Sequence, residues 1–251
     1  MNLKTISTIG PAFVLFIALL LLWELFVSAT HVSNQILPSP SNILQAFLRN
    51  WQIFLPHIQQ TILETIIGIV VAIVIGIGTA VLLDTSIFIR RTLYPLLVTS
   101  QTIPIIALAP LLLIWLGFDI WSKVVVVTLF CYFPIAIAMS DGFSRIDPEL
   151  LKLFRSMRAS YIDTMRLLKF PSALPAFFSG LKIAVTYSIT GAMVGEYVGA
   201  EKGLGVFIQT AANAYAISLV FATIFVTTFL SLLLFAIVSI VEKLLLPWHR
   251  K

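Results

Sequence analysis

Few side chains in this sequence are of the kinds that carry covalent or metal chemistry. The three histidines, His31, His57 and His249, lie far apart, without the close pairing that metal ligation needs. The one cysteine, Cys131, sits in an apolar run, so no intrachain disulfide can form. No Gly-rich loop followed by Lys is present to cradle phosphates, and Gly203-Leu204-Gly205, which follows no strand, does not replace one. The sequence therefore offers no catalytic residue, no metal site and no cofactor of its own.

Polar residues inside apolar stretches are the remaining chemical signal, because they are expensive in a membrane and often functional. Glu24 and Glu64 fall near the ends of such stretches, where a headgroup-level position is expected. Lys182 lies about two turns inside one, and its long stem can reach back toward water. Glu196, beside Gly195 and Gly199, either lines the mouth of a path or holds a loop. Gln101, Thr102 and Pro104, with Pro110 beyond them, either face a central path or mark a kink packed between helices.

The elements that must position these residues follow from composition. The chain has 251 residues, of which 59% are hydrophobic and only 11% charged, with a mean hydropathy of +1.04. A water-soluble domain of this size cannot cover so much apolar surface, so an integral membrane protein is expected and a soluble enzyme is excluded. A helix needs about 20 residues to cross about 30 Å of hydrocarbon. The sparse charges punctuate apolar stretches of that length and predict six spans: 11–29, 61–83, 93–117, one beginning at 120, 176–198 with Lys182 inside it, and one within 202–242. These continuous runs do not fit the alternation of barrel strands. The fold class expected is thus all-α, with no soluble domain and no internal repeat. Between the first two spans, Ser41 or Asn42 is expected to cap a short surface helix after the turn at 38–42.

With the N-terminus inside, thirteen of the sixteen Lys and Arg residues fall on the cytoplasmic side. Only Arg49, Lys123 and Lys202 fall outside. This asymmetry places both termini in the cytoplasm and accounts for the net charge of +5 without nucleic acid as a partner. The longest inward loop, 141–175, opens with Asp147-Pro148-Glu149, a helix start with its cap, its first-turn proline and its acid. Leu150, Leu153, Phe154 and Met157 then recur at helical spacing. A second amphipathic piece carries Tyr161, Met165 and Leu168, with Pro171 and Pro175 expected to end it. Such helices bury their apolar faces on the protein's own spans, on headgroups or on a soluble partner.

This loop resembles the cytoplasmic signature of ABC importer permeases: Glu-Ala-Ala, three residues, Gly, nine residues, Ile-x-Leu-Pro. Here the triplet is Lys152-Leu153-Phe154, the glycine position holds Arg158, and the ending is Leu168-Lys169-Phe170-Pro171. The flanking Asp147-Pro148-Glu149-Leu150, Ala159-Ser160, Ala173-Leu174-Pro175 and Ser179-Gly180-Leu181-Lys182 are similar to permeases for sulfonates, taurine, nitrate and thiamine or flavin precursors. So are Leu37-Pro38-Ser39-Pro40, Ala109-Pro110-Leu111, Trp115-Leu116-Gly117-Phe118, Phe133-Pro134-Ile135, and Glu196 with Gly203-Leu204-Gly205.

The resemblance implies a single permease domain over 1–251, its core about 57–246 and its N-terminal span and external loop 11–56. It implies a multi-pass protein of the bacterial cell membrane that translocates a small organic or anionic nutrient, a vitamin precursor or a sulfonate. Short coupling helices between spans four and five would dock on a separate ATPase through Lys152, Leu153, Phe154, Met157, Arg158, Ala159, Ser160 and Pro171. Further partners implied are a second permease copy and an extracytoplasmic solute-binding protein, with ATP and Mg held by the ATPase. Gln101, Thr102, Pro104 and Glu196 are the candidates for the translocation path, and Tyr187, Tyr197 and Tyr215 suit a ring-bearing solute. A left-handed turn at 158 would favour glycine, so Arg158 implies either about 1 kcal/mol of strain or another turn geometry. The alternative, a free-standing secondary carrier or channel, calls for mid-span ion sites and paired repeats, neither of which the sequence offers.

Overall fold

A computed structural model describes the backbone of residues 3–249 and the side chains of 10, 11 and 13–248. Arg250 and Lys251, counted above among the inward charges, lie outside the described residues, as do the side chains of Lys4 and His249. The described chain is helical, without strands. In order it runs α1 (Leu3–Thr30), α2 (Pro40–Arg49), α3 (Trp51–Thr85), α4 (Ile87–Ser100), α5 (Ile105–Leu116), α6 (Ile120–Ser144), α7 (Pro148–Ser156), α8 (Tyr161–Thr164), a π-turn (Met165–Lys169), α9 (Phe170–Tyr197), α10 (Leu204–Asn213) and α11 (Ile217–Leu245). Five helices are long and apolar enough to cross a membrane, and α4 with α5 makes a sixth if the bent pair is one span.

The core is the packing of α3, α6 and α9. Ala72, Val127, Cys131, Ile135, Ala184 and Ala192 are all fully buried in it. Small residues let these helices approach closely, as membrane packing requires. A Cβ at Gly180 of α9 would sit 2.5 Å from the Pro134 carbonyl oxygen of α6, so that crossing depends on glycine. By contrast α1 and α11 keep broad apolar faces outward, as spans in lipid do. Trp23 of α1 stacks against Phe221 and Phe225 of α11. Glu24 accepts hydrogen bonds from the Ser41 amide and hydroxyl at 3.0 and 2.7 Å, tying the end of α1 to the start of α2.

Several sequence expectations are corrected. The third span is not continuous: α4 and α5 meet at a 97° bend over Gln101–Pro104. Pro104 has no N–H to donate and its ring disfavours helical backbone at residue 103. The short surface helix is capped by Ser39, whose Oγ accepts from the Asn42 amide at 3.3 Å, not by Ser41 or Asn42. The second span begins ten residues earlier, at Trp51 rather than 61. The charge-free run 202–242 holds two helices, α10 and α11, divided at Tyr215, whose φ is 56°. Pro171 and Pro175 do not end the second amphipathic piece. The π-turn admits an extra residue ahead of Pro171, which removes the clash of its ring with the preceding turn, and α9 continues without a break.

Candidate functional site

At one end of the bundle lies the segment 147–171. Asp147 caps α7, its carboxylate accepting from the Glu149 amide at 2.8 Å, as the sequence predicts. One face of α7 carries Leu150, Leu153 and Met157, exposed by 43%, 53% and 71%, with Phe154 half-buried beside them. No residue of α7 is buried. The helix closes with the Ala159 amide donating to the Phe154 carbonyl and the Arg158 amide to the Arg155 carbonyl, each at 3.0 Å. This pair of bonds is the Schellman arrangement, which needs a left-handed residue at its turn. Arg158 supplies it, with φ 56°.

The chain then restarts at once. Ser160 and Asp163 form a reciprocal capping box. The helical run from Tyr161 through the π-turn enters α9, with Met165 and Leu168 buried against the core. Lys169 pairs with Asp84 at the end of α3 at 2.6 Å, and the Tyr161 hydroxyl donates to the same carboxylate at 3.3 Å. Asp141 at the end of α6 accepts from the Tyr94 hydroxyl at 3.1 Å and faces Arg90 at 4.0 Å. The turn at Arg158 and Ala159 thus separates α7 from the helical run that enters α9, and Lys169 ties that run to α3. Lys182 reaches Glu242, near the end of α11, in an ion pair.

At the opposite end a buried polar cluster holds the loop between α9 and α10. Three consecutive amides that open α10 each donate to a side chain: Gly203 to His57 Nδ1 at 3.0 Å, Leu204 to Thr61 Oγ1 at 2.8 Å, and Gly205 to Glu196 Oε2. Thr61 in turn donates to Glu196 Oε1 at 2.6 Å. The helix N-terminus is thus satisfied inside the protein. Gly203 has φ +136°, and a Cβ there would lie 2.2 Å from the Glu196 carboxyl carbon, so no other residue fits. Glu64 is 1% exposed, and its Oε1 accepts from Gln60 at 2.8 Å. It is buried among helices, beside Asp119, Lys123 and Lys202 at this end of the bundle. Lys123, assigned above to the outside, is 2% exposed. Its Nζ donates to the carbonyls of Phe118, Asp119 and Gly199, joining the start of α6 to the end of α9.

The four path candidates do not come together. Gln101, Thr102 and Pro104 are exposed at the α4–α5 bend, whereas Glu196 is fully buried and engaged with Thr61 and Gly205. His57, Thr61, Glu64 and Lys123 were not singled out from the sequence as one cluster. The only signal for it was polar residues recurring near 57–64 at the start of an apolar run.

Residues 68–251 match the family described as binding-protein-dependent transport system inner membrane component. The formylaminopyrimidine transport permease protein ThiX of Halalkalibacterium halodurans is 39% identical over 94% of each chain. The riboflavin transport system permease protein RibX of Chloroflexus aurantiacus is 30% identical over 92% of this chain and 87% of its own. The taurine transport system permease protein TauC of Escherichia coli is 25% identical over 92% of this chain and 86% of its own. Among solved structures, an inward-facing MetNI methionine ABC transporter chain has the same fold. Its TM-score is 0.69 at 20% identity, over 78% of this chain and 98% of that one.

Proposed function

The chain belongs to the family of binding-protein-dependent transport system inner membrane components, and on that premise we propose that segment 147–171 is where a separate ATPase subunit docks and drives it. The chain is the membrane-spanning subunit of an ABC importer, a multi-pass protein of the bacterial plasma membrane that performs no covalent chemistry. Family membership sets aside the free-standing carrier or channel. ATP and Mg belong to the partner ATPase, whose closure pushes α7 and, through the turn at Arg158 and the helical run that follows it, α9. The end bearing α7 and both termini is cytoplasmic, and the α10 end faces an extracytoplasmic solute-binding protein. Two copies pair around the path, with Gln101, Thr102 and Pro104 at the α4–α5 bend turned toward it. Glu196 holds the external loop instead of lining the mouth. The whole of 1–251 acts as one permease domain with its core at about 57–246. The cargo is a small organic nutrient of the vitamin-precursor kind.

The observation that carries the coupling proposal is the apolar face of α7, exposed at the end of the bundle and followed, after one left-handed turn, by the helical run into α9. Exposed Leu153 and Met157 with half-buried Phe154 provide the apolar side chains that a protein groove would take up, flanked by Lys152, Arg155 and Arg158. Phe154→Asp places a charge on that face without touching the core. The expected result is loss of ATP-driven uptake in cells, with membrane insertion and protein level unchanged on immunoblots. Uptake at the original rate would remove Phe154 from the docking surface.

A further inference from the structure

The face of α9 that the core leaves open is not uniformly apolar. Ile183, Thr186, Tyr187 and Thr190 recur on it at helical spacing and are exposed, while Ala184, Val185 and Ser188 on the opposite side are buried. Across from this strip α11 presents Thr227, Thr228 and Ser231, and the two helices enclose a groove of about 440 Å³. Its hydroxyls lie near the middle of both spans, residues 186–190 of Phe170–Tyr197 and 227–231 of Ile217–Leu245. Elsewhere the large exposed side chains along the middle of α11 are apolar, as at Phe229, Leu233 and Ile240. Hydroxyls gathered on one mid-span strip fit a polar path better than they fit lipid.

The hydrogen bonds within the groove define its chemistry. Thr186 donates its hydroxyl proton to the Lys182 carbonyl at 2.8 Å. Thr227 and Thr228 donate theirs to the Ile224 carbonyl at 2.9 and 2.8 Å. With these protons engaged on their own helices, the oxygens have only lone pairs left to offer. No charged side chain lines the groove, and Ile189, Met193 and Phe235 supply apolar walls. Thr190 and Ser231 add two hydroxyls to the lining, but an anion would give up its whole hydration shell there and find no cation in return. A flat uncharged molecule with N–H groups would find acceptors for its edge and apolar contacts for its faces.

We propose that this groove is a solute subsite of the translocation path and that it selects uncharged, N–H-bearing ring compounds over anions such as sulfonates and nitrate. The proposal rests on the reading of this chain as the translocating subunit. It is tested on the importer complex in proteoliposomes, with Cys131→Ala removing the native thiol and Thr190→Cys placing one in the groove. A water-soluble methanethiosulfonate reagent should label Thr190→Cys at least tenfold faster than Leu19→Cys, on the outward face of α1. The probe 4-aminopyrimidine should slow that labelling, while unsubstituted pyrimidine and methanesulfonate leave it unchanged. Adding Thr186→Val should raise the half-protecting concentration of 4-aminopyrimidine about five- to tenfold, as expected for one lost hydrogen bond. Thr186→Ser, which keeps the oxygen, should restore protection. Co-purification of the ATPase subunit with each variant checks that it is folded and assembled. Labelling no faster than at Leu19→Cys would mean that lipid or a second copy covers this face, and would overturn the subsite. Equal protection by methanesulfonate would overturn the selectivity. Labelling requires no ATP, so its outcome is separate from that of Phe154→Asp.

Discussion

Arg158 stands where the family signature has glycine, and the backbone keeps the glycine geometry all the same, with φ 56°. The two closing hydrogen bonds of α7 demand a left-handed residue whatever its side chain. The demand comes from the turn between α7 and α8, so the departure from the signature leaves the architecture intact at a local cost. Arg158→Gly should therefore stabilise the protein by about 1 kcal/mol, which corresponds to a rise of ~2–4 °C in melting temperature for a chain of this size. Thermal unfolding in detergent, followed by intrinsic fluorescence, measures this. A fall in melting temperature would show that the guanidinium contributes more than the turn loses. Lys152, at the position of the signature's glutamate, pairs with Glu149 at 2.8 Å and is otherwise exposed, a surface change that leaves α7 itself undisturbed.

The elements of this protein are joined at both ends by polar ties, because apolar packing alone does not fix how far one helix slides along another in lipid. At the α7 end the tie is Lys169–Asp84. At the other it is the set of His57, Thr61 and Glu196 around the three amides that open α10. Glu196→Ala would leave the Gly205 amide without its acceptor in a buried setting, a cost of about 2 kcal/mol, while the Thr61 hydroxyl keeps the His57 carbonyl at 3.1 Å. The expected result is a lower melting temperature together with proteolytic cleavage between 198 and 216 by protease added from the outer face. Glu196→Gln retains one carbonyl oxygen and should lose clearly less. Equal losses in the two variants would refute the hydrogen-bond account of this clamp.

For the whole molecule the open question of sidedness is decided by charge, and it sets which end meets the ATPase. The strong excess of Lys and Arg toward the α7 end predicts that this end remains in the cytoplasm. A reporter fused after Lys251 should be active only if cytoplasmic. In a Cys131→Ala background, Lys202→Cys should react with an impermeant thiol reagent in intact cells. Reaction at position 155 instead of 202 would invert the arrangement and place α7 out of reach of any ATPase.

By itself the sequence determined that this is a helical membrane protein with about six spans and an amphipathic segment before the fifth. Each of those properties is local: a charge-free run of some 20 residues, a cap with its first-turn proline, an apolar face at helical spacing. At Arg158 the resemblance left two outcomes, strain or another turn geometry, and the structure shows the left-handed turn. Only the tertiary structure decided what lies between distant segments. The burial of Glu64 and Lys123, the three side chains that cap α10 from 57, 61 and 196, and the pairing of Lys182 with Glu242 all depend on which helices pack together. Glu64 was read as a headgroup-level residue and Lys123 as one on the outer side, because position along the chain relative to a span's end is all that sequence supplies. Their burial follows from α3, α6 and α9 closing around them, a contact that no single segment encodes.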